Sequence, residues 1–274
     1  GISDFGEMAR LTKIAKPDTC VITNIGTCHL ENLGDRDGVL KAKTEIFQSM
    51  KTNGHIVLNG DDDKLITVRE YNGVKPVFFG LNSERDVYAD QIESKGLKGV
   101  ACRIHLGEDA FDVLVPTPGI HMVYNALAAA AVGRIYGLTI EEIRRGIESL
   151  ETIRGRFKMI ETDKFLVVDD CYNANPMSMK ASLDVLHDGE GRRVAILGDM
   201  GELGEDEAAL HEGVGIHAAT CGIDACVCVG DLAVHIAEAA RKANPDFPVY
   251  YEKTRESLLE HLNDYVQKGD TILV

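Results

Sequence analysis

Asp169-Asp170-Cys171-Tyr172-Asn173-Ala174-Asn175-Pro176 gathers two carboxylates and two amides in one short stretch. The apolar run 165–168 before it reads as a buried strand. Residues 177–187 after it read as a helix with Met179, Leu183 and Leu186 on one face. Asn175 suits an N-cap, and Pro176 is pre-set for the first helical position. Two carboxylates therefore leave a strand tip, and two amides sit where a helix offers unpaired N–H groups to an anion. In open α/β sheets, ligands bind at the carboxyl ends of strands. The plain alternative is a polar turn that caps its own helix.

Two further stretches carry chemistry. Residues 39–50 read as a helix whose inward stripe is Leu40, Lys43, Phe47 and Met50, with Val39 and Ile46 beside it and Lys41 facing out. Lys43 is thus a lysine on an apolar face, where snorkelling of its stem is the ordinary explanation. The run Gly198-Asp199-Met200-Gly201-Glu202-Leu203-Gly204-Glu205 follows an apolar strand and precedes a helix. It superficially suggests a phosphate loop, but the glycine spacing is not G-x-G-x-x-G. Carboxylates at Asp199, Glu202, Glu205 and Asp206 would repel a pyrophosphate. Such a loop suits a zwitterion, its ammonium on the acids and its carboxylate on backbone N–H groups, unless the acids merely favour the helix dipole.

The elements that must position these residues follow from period and punctuation. A helix opens at a capping box on Asp4 and Glu7 and ends before Pro17. Strands are expected at 19–25, 56–58 and 76–80, then an antiparallel meander over 86–115, an alanine-rich helix over 122–136, and a helix capped by Thr139 and Glu142. After a boundary near 152, 153–157 reads as a linker. Strands at 165–170, 193–198, 225–230, 248–251 and 271–274 then alternate with helices at 176–187, 205–220, 231–243 and 255–267. That alternation gives a parallel sheet of Rossmann-like topology.

Bulk properties narrow the classes. The 274 residues suit two domains, and the net charge of −15 excludes a nucleic-acid partner of the basic-stripe kind. No apolar run approaches a membrane span, and no signal peptide opens the chain. Seven scattered cysteines suit reduced thiols in a cytoplasm. Cys226-Val227-Cys228 alternates along a strand, with its thiols expected on opposite faces and no metal between them. The first residues fall inside a functional loop and the last inside a strand, as in a fragment of a longer chain.

Taken together, several stretches resemble the Mur ligases, ATP-dependent enzymes of peptidoglycan assembly, and most of all the branch that adds a dipeptide. They are Gly6-Glu7-Met8-Ala9; Thr23-Asn24-Ile25-Gly26-Thr27-Cys28-His29-Leu30; Ala42-Lys43-Thr44-Glu45-Ile46-Phe47; Pro118-Gly119-Ile120-His121-Met122-Val123-Tyr124-Asn125; Arg154-Gly155-Arg156-Phe157; 169–176; and 197–204. The resemblance implies an α/β chain: a partial central ATPase domain over 1–152, with a parallel sheet plus a small antiparallel meander, then a Rossmann-like domain over 153–274 that binds the amino acid or dipeptide.

It also implies the chemistry. ATP phosphorylates a carboxylate of UDP-N-acetylmuramoyl-tripeptide, and the amine of D-alanyl-D-alanine displaces phosphate, with Mg²⁺ or Mn²⁺ neutralising phosphate charge. Lys43 would be carbamylated and, with His29, support a metal ion. Burial lowers a lysine's pKa and so favours the neutral amine that carbamylation needs. Asn125 would lie near the adenine, Arg156 near the nucleotide phosphates and Asp170 at the ribose. Asn173, Asn175 and Asp199 would face the dipeptide. Met122 and Thr27-Cys28 depart from the family pattern. The family's P-loop and UDP-sugar domain would precede Gly1, so these residues by themselves are not expected to ligate. A monomer is expected. The competing readings are a Mur-type ligase for a single amino acid, a folylpolyglutamate- or cyanophycin-type synthetase, and a non-catalytic binding subunit of the same fold.

Overall fold

The computed structural model describes residues 2–27 and 29–274. Gly1, and Cys28 within the histidine motif, lie outside the described residues. The chain divides into two units at Leu150/Glu151.

In the first unit the elements run α1 (Glu7–Ala15), β1 (Thr19–Ile22), α2 (Leu30–Leu33), α3 (Arg36–Thr44), a 3-10 turn (Glu45–Ser49), β2 (His55–Asn59), β3 (Val77–Gly80), β4 (Val87–Ser94), β5 (Val100–Leu106), β6 (Asp109–Val115), α4 (Ile120–Ile135) and α5 (Ile140–Glu148). The strands form one six-stranded sheet in chain order. Neighbours are parallel from β1 to β4 and antiparallel from β4 to β6. The meander is therefore the continuation of the parallel sheet, joined where Phe79 pairs with Val87.

The period-2 geometry of β2 shows why both faces are covered. Ile56 and Leu58 face a core closed by Val39, Ala42 and Phe47. Val57 faces the opposite core with Phe79, Leu127 and Ala130 of α4. The small side chains of α4 let it lie close across the strands. Thr139 and Glu142 make the expected capping box of α5.

Two expectations shift. Asp4 does not cap α1: the helix begins at Glu7 after Gly6, and the Glu7 carboxylate reaches back to the amides of Ser3 and Asp4. The inward face of α3 is centred on Val39 and Ala42 rather than on Lys43, which is half-buried. The chain passes into the 3-10 turn at Glu45, and Phe47 is the buried residue of that turn.

In the second unit the order is β7 (Lys158–Glu161), β8 (Leu166–Asp169), α6 (Pro176–His187), β9 (Arg193–Leu197), α7 (Glu207–Thr220), β10 (Ala225–Val229), α8 (Ala233–Ala243), β11 (Val249–Glu252), α9 (Arg255–Tyr265) and β12 (Thr271–Leu273). The sheet order is β11-β10-β9-β12-β8-β7. It is parallel except for β7, an antiparallel edge strand that the sequence pattern does not reveal. Close packing of α7 on α8 requires Gly215, where a Cβ would stand 2.2 Å from the Ile236 carbonyl oxygen. Cys226 and Cys228 point to the same face of β10, with sulfurs 3.9 Å apart, which overturns the opposite-face expectation. Residues i and i+2 of a strand share a face. The six described cysteines form no disulfide.

Candidate functional site

In the first unit, four side chains, two from α3, one from β2 and one from the turn after β2, hold the backbone of the loop that leaves β1. Asn59 Nδ2 donates to the Thr23 carbonyl at 3.0 Å, and Lys43 Nζ donates to the Asn24 carbonyl at 2.8 Å. The Asp62 carboxylate accepts from the Ile25 amide at 2.7 Å, while Arg36 Nε donates to the Ile25 carbonyl at 2.9 Å. The loop then reaches His29, which caps α2 in the left-handed region with φ of 58°. The half-buried Lys43 is thus anchored to the loop that carries His29, a few residues away from it. Among the described residues, no three His, Cys, Asp or Glu side chains converge as a metal cluster.

Asn125 lies on the exposed side of α4, where its Nδ2 sits 3.4 Å from the Met122 sulfur. Both line an apolar pocket of about 460 Å³ between α4 and α5. Met122 therefore takes one of the two N–H donors of this amide.

In the second unit, a pocket of about 730 Å³ opens over the carboxyl ends of β8, β12, β9 and β10. Asp170, Asn173, Asp199 and Arg255 are among its lining residues. It lies where the chain leaves β8 for β9 and later returns as β12 between them, the position at which doubly wound sheets bind ligands.

The residues expected to bind are not all available to a ligand, and Asn175 is not among those that line the pocket. Asn175 is the N-cap of α6: its Oδ1 accepts from the amides of Met177 and Ser178, both at 3.0 Å, and its own amide donates to Ser178 Oγ. Pro176 has no N–H. The helix terminus that looked open to an anion is closed by its own cap. Asp199 is engaged as well, with its carboxylate accepting from the amides of Asp231, Leu232 and Ala233 at 2.7–3.1 Å. It caps α8, a partner more than thirty residues downstream, and not the helix that follows its own loop. Asp170 Oδ2 accepts from Ser182 Oγ at 2.7 Å.

The linker reading of 153–157 also changes. Asp169, 6% exposed, accepts from the Gly155 amide at 3.1 Å and from the Cys171 thiol at 3.0 Å. The thiol contact first, and then the Gly155 amide, hold the Asp169 carboxyl below its usual range against the opposing cost of burial. The Tyr172 amide donates to the Gly155 carbonyl, and the Arg156 guanidinium stacks 4.1 Å from the Tyr172 ring centroid. This turn is fastened to the β8 tip. Sequence reasoning missed Tyr172 as the platform for Arg156 and Arg255 as a lining cation. The i, i+3, i+4, i+7 spacing of Arg255, Leu258, Leu259 and Leu262 is the signal that brings Arg255 into the pocket.

Comparison with known proteins accords with these features. Residues 1–133 match the Mur ligase middle domain, and residues 155–274 match the Mur ligase glutamate ligase domain. The chain is 34% identical over 276 residues to the UDP-N-acetylmuramoyl-tripeptide--D-alanyl-D-alanine ligase of Bacillus subtilis (strain 168), covering 100% of this chain and 59% of that protein. The Escherichia coli (strain K12) protein of the same name is 34% identical over 242 residues, covering 88% of this chain and 54% of its own length. Among solved structures, MurF from Acinetobacter baumannii superposes with a TM-score of 0.89 at 31% identity, over 100% of this chain and 59% of that one. The MurF ligase from Thermotoga maritima, in complex with ADP, gives 0.83 at 28% identity over 99% and 61%. The chain spans less than two thirds of the length of each of these relatives. With its two domains matched over nearly all its residues, the chain belongs to the Mur ligase family.

Proposed function

We propose that this chain supplies the middle and C-terminal domains of an ATP-dependent amide ligase that adds D-alanyl-D-alanine to UDP-N-acetylmuramoyl-tripeptide in peptidoglycan synthesis. The observation that carries the reading is the position of 170–174, the stretch most particular to the dipeptide-adding branch, in the wall of the pocket over β8.

In this reading Lys43 and His29 of the first unit serve the metal and Asn125 the adenine, while Arg156 and Asp170, assigned to the phosphates and ribose, belong to the second unit. Mg²⁺ usually takes one or two protein oxygens and fills its shell with phosphates and water, so the lack of a three-residue cluster among the described residues suits it. Bound there, the ion would neutralise charge on the transferring phosphoryl group. Lys43 fits as a carbamate because the modified nitrogen keeps one N–H. That N–H can keep the contact to the Asn24 carbonyl, on the loop that carries His29. Asn173 and the pocket then receive the dipeptide, whose amine attacks the acyl phosphate.

The test is a chimera in which this chain replaces the matching 276 residues of the Bacillus subtilis relative. Phosphate release that requires both the nucleotide tripeptide and D-alanyl-D-alanine is expected. Release driven equally by single amino acids or by glutamate would overturn the dipeptide assignment.

A further inference from the structure

The charges that line the second unit's pocket are unequally committed. Asp199 is held by three backbone amides and Asp170 by the Ser182 hydroxyl. Arg255, the first residue of α9, lines the same pocket and makes no ion pair or side-chain hydrogen bond among the described residues. The helix start does not depend on its side chain, because Thr254 Oγ1 takes the Ser257 amide at 3.2 Å. Below Arg255 on the same face, Leu258 and Leu259 present apolar surface to the pocket, and Leu259 is 57% exposed. The uncommitted charge of the pocket is therefore positive and sits beside a greasy wall. That combination suits a small carboxylate bearing methyl groups.

We infer that Arg255 receives the carboxylate of the incoming dipeptide and fixes its direction in the pocket. This rests on the acceptor reading proposed above. Arg255 stands at the β10–β11 side, whereas Asp170 and Asn173 stand at the tip of β8. From β10 to β8 is three strand spacings, about 14 Å. Two extended residues cover about 7 Å, and a long arginine side chain spans much of the rest. A carboxylate on Arg255 thus sends the amine of a dipeptide toward the β8 tip. A single amino acid held the same way falls one residue short. The assignment replaces Asp199 with Arg255 as the charged contact for the zwitterion and reverses which end of it is recognised by charge.

The test is calorimetric binding of D-alanyl-D-alanine, its C-terminal amide and D-alanine to this chain and to its Arg255→Met and Arg255→Lys variants. The chain should prefer the acid over the amide by roughly tenfold to a hundredfold. Arg255→Met should bring the acid down to the level of the amide while leaving the amide unchanged, and Arg255→Lys should fall between. D-Alanine should bind weakly to all three proteins. If Arg255→Met keeps the preference for the acid, the inference is overturned and the acceptor reading stands. If neither dipeptide binds the unsubstituted chain at the highest soluble concentration, the acceptor reading fails and the inference fails with it.

Discussion

The backbone amide of Met200 donates to His211 Nε2 at 2.9 Å, in the interior of the second unit. The imidazole is fully buried, and its Nδ1 lies 2.7 Å from the Glu207 carbonyl. An acceptor at Nε2 and a carbonyl at Nδ1 select the neutral Nδ1–H tautomer. The histidine thereby pins the 198–204 loop, which forms one wall of the pocket, to the first turn of α7. His211→Ala leaves the Met200 amide buried and unpaired and opens a void. It should lower unfolding stability by about 2–4 kcal/mol. His211→Gln should recover part of that loss, as read by urea denaturation and by hydrogen exchange at the Met200 amide.

Asp199 separates a capping role from a substrate role. Asp199→Ala should cost about 0.5–2 kcal/mol through the N-terminus of α8. Its effect on D-alanyl-D-alanine affinity should be under about threefold. A large loss of affinity with unchanged stability would return Asp199 to the substrate side.

Lys43 is tested in the chimera. Lys43→Met removes both the Asn24 contact and the carbamate, and phosphate release should fall by about a hundredfold or more. Thermal melting of the same protein reads the contact alone, and a shift of only a few degrees is expected. A chimera that stays active with methionine at this position would exclude the carbamate role.

Gly155 adopts φ of 75°, and a Cβ there would stand 3.2 Å from that of Tyr172. Gly155→Ala combines a left-handed backbone with a crowded neighbour and should destabilise by about 1–2 kcal/mol. The same change should release Arg156 from the Tyr172 ring, which a rise in tyrosine solvent accessibility would report.

The pH dependence follows from Glu252 and Tyr265. Glu252 accepts from Ser257, Tyr265 and His261, and the first two bonds lead in holding its carboxyl below the ordinary 4.5. Its contribution is present above that value and is lost as pH falls below it. The same carboxylate pushes the Tyr265 phenol from 10 up to about 12. That contribution is complete below pH 10 and is lost as pH rises toward 12. Urea midpoints should therefore decline on both sides of neutrality, and Glu252→Gln should flatten both limbs.

What the sequence revealed was chiefly local. Asn175 and Pro176 open α6, and Thr139 with Glu142 open α5, because caps act over three residues. The run 56–58 announced a strand, and its burial on both faces emerged only from the fold. What it hid was set at a distance. The partners of Asp199 lie beyond a whole strand and helix, so its loop position gave no sign that it caps α8. The edge strand Lys158–Glu161 has four residues with one partly buried, too short a pattern to stand out beside a turn. Lys43 was drawn too far inward because the stripe was centred on Leu40, Lys43 and Phe47, whereas the residues α3 buries are Val39 and Ala42.

One feature of the second sheet governs how the pocket comes into being. Thr271 pairs with Leu166 on one side and with Arg193 on the other. The strand that joins β8 to β9 is thus later in the chain than every other strand it organises. Until it arrives, β7 and β8 form one ribbon and β9, β10 and β11 another, with no ladder between them. Emerging from the ribosome, the chain holds Asp170 and Asp199 on separate pieces. The floor of the pocket closes in a single late event over some hundred residues of sequence separation, a slow and non-local step. The pocket wall is therefore completed only after β12 has been made.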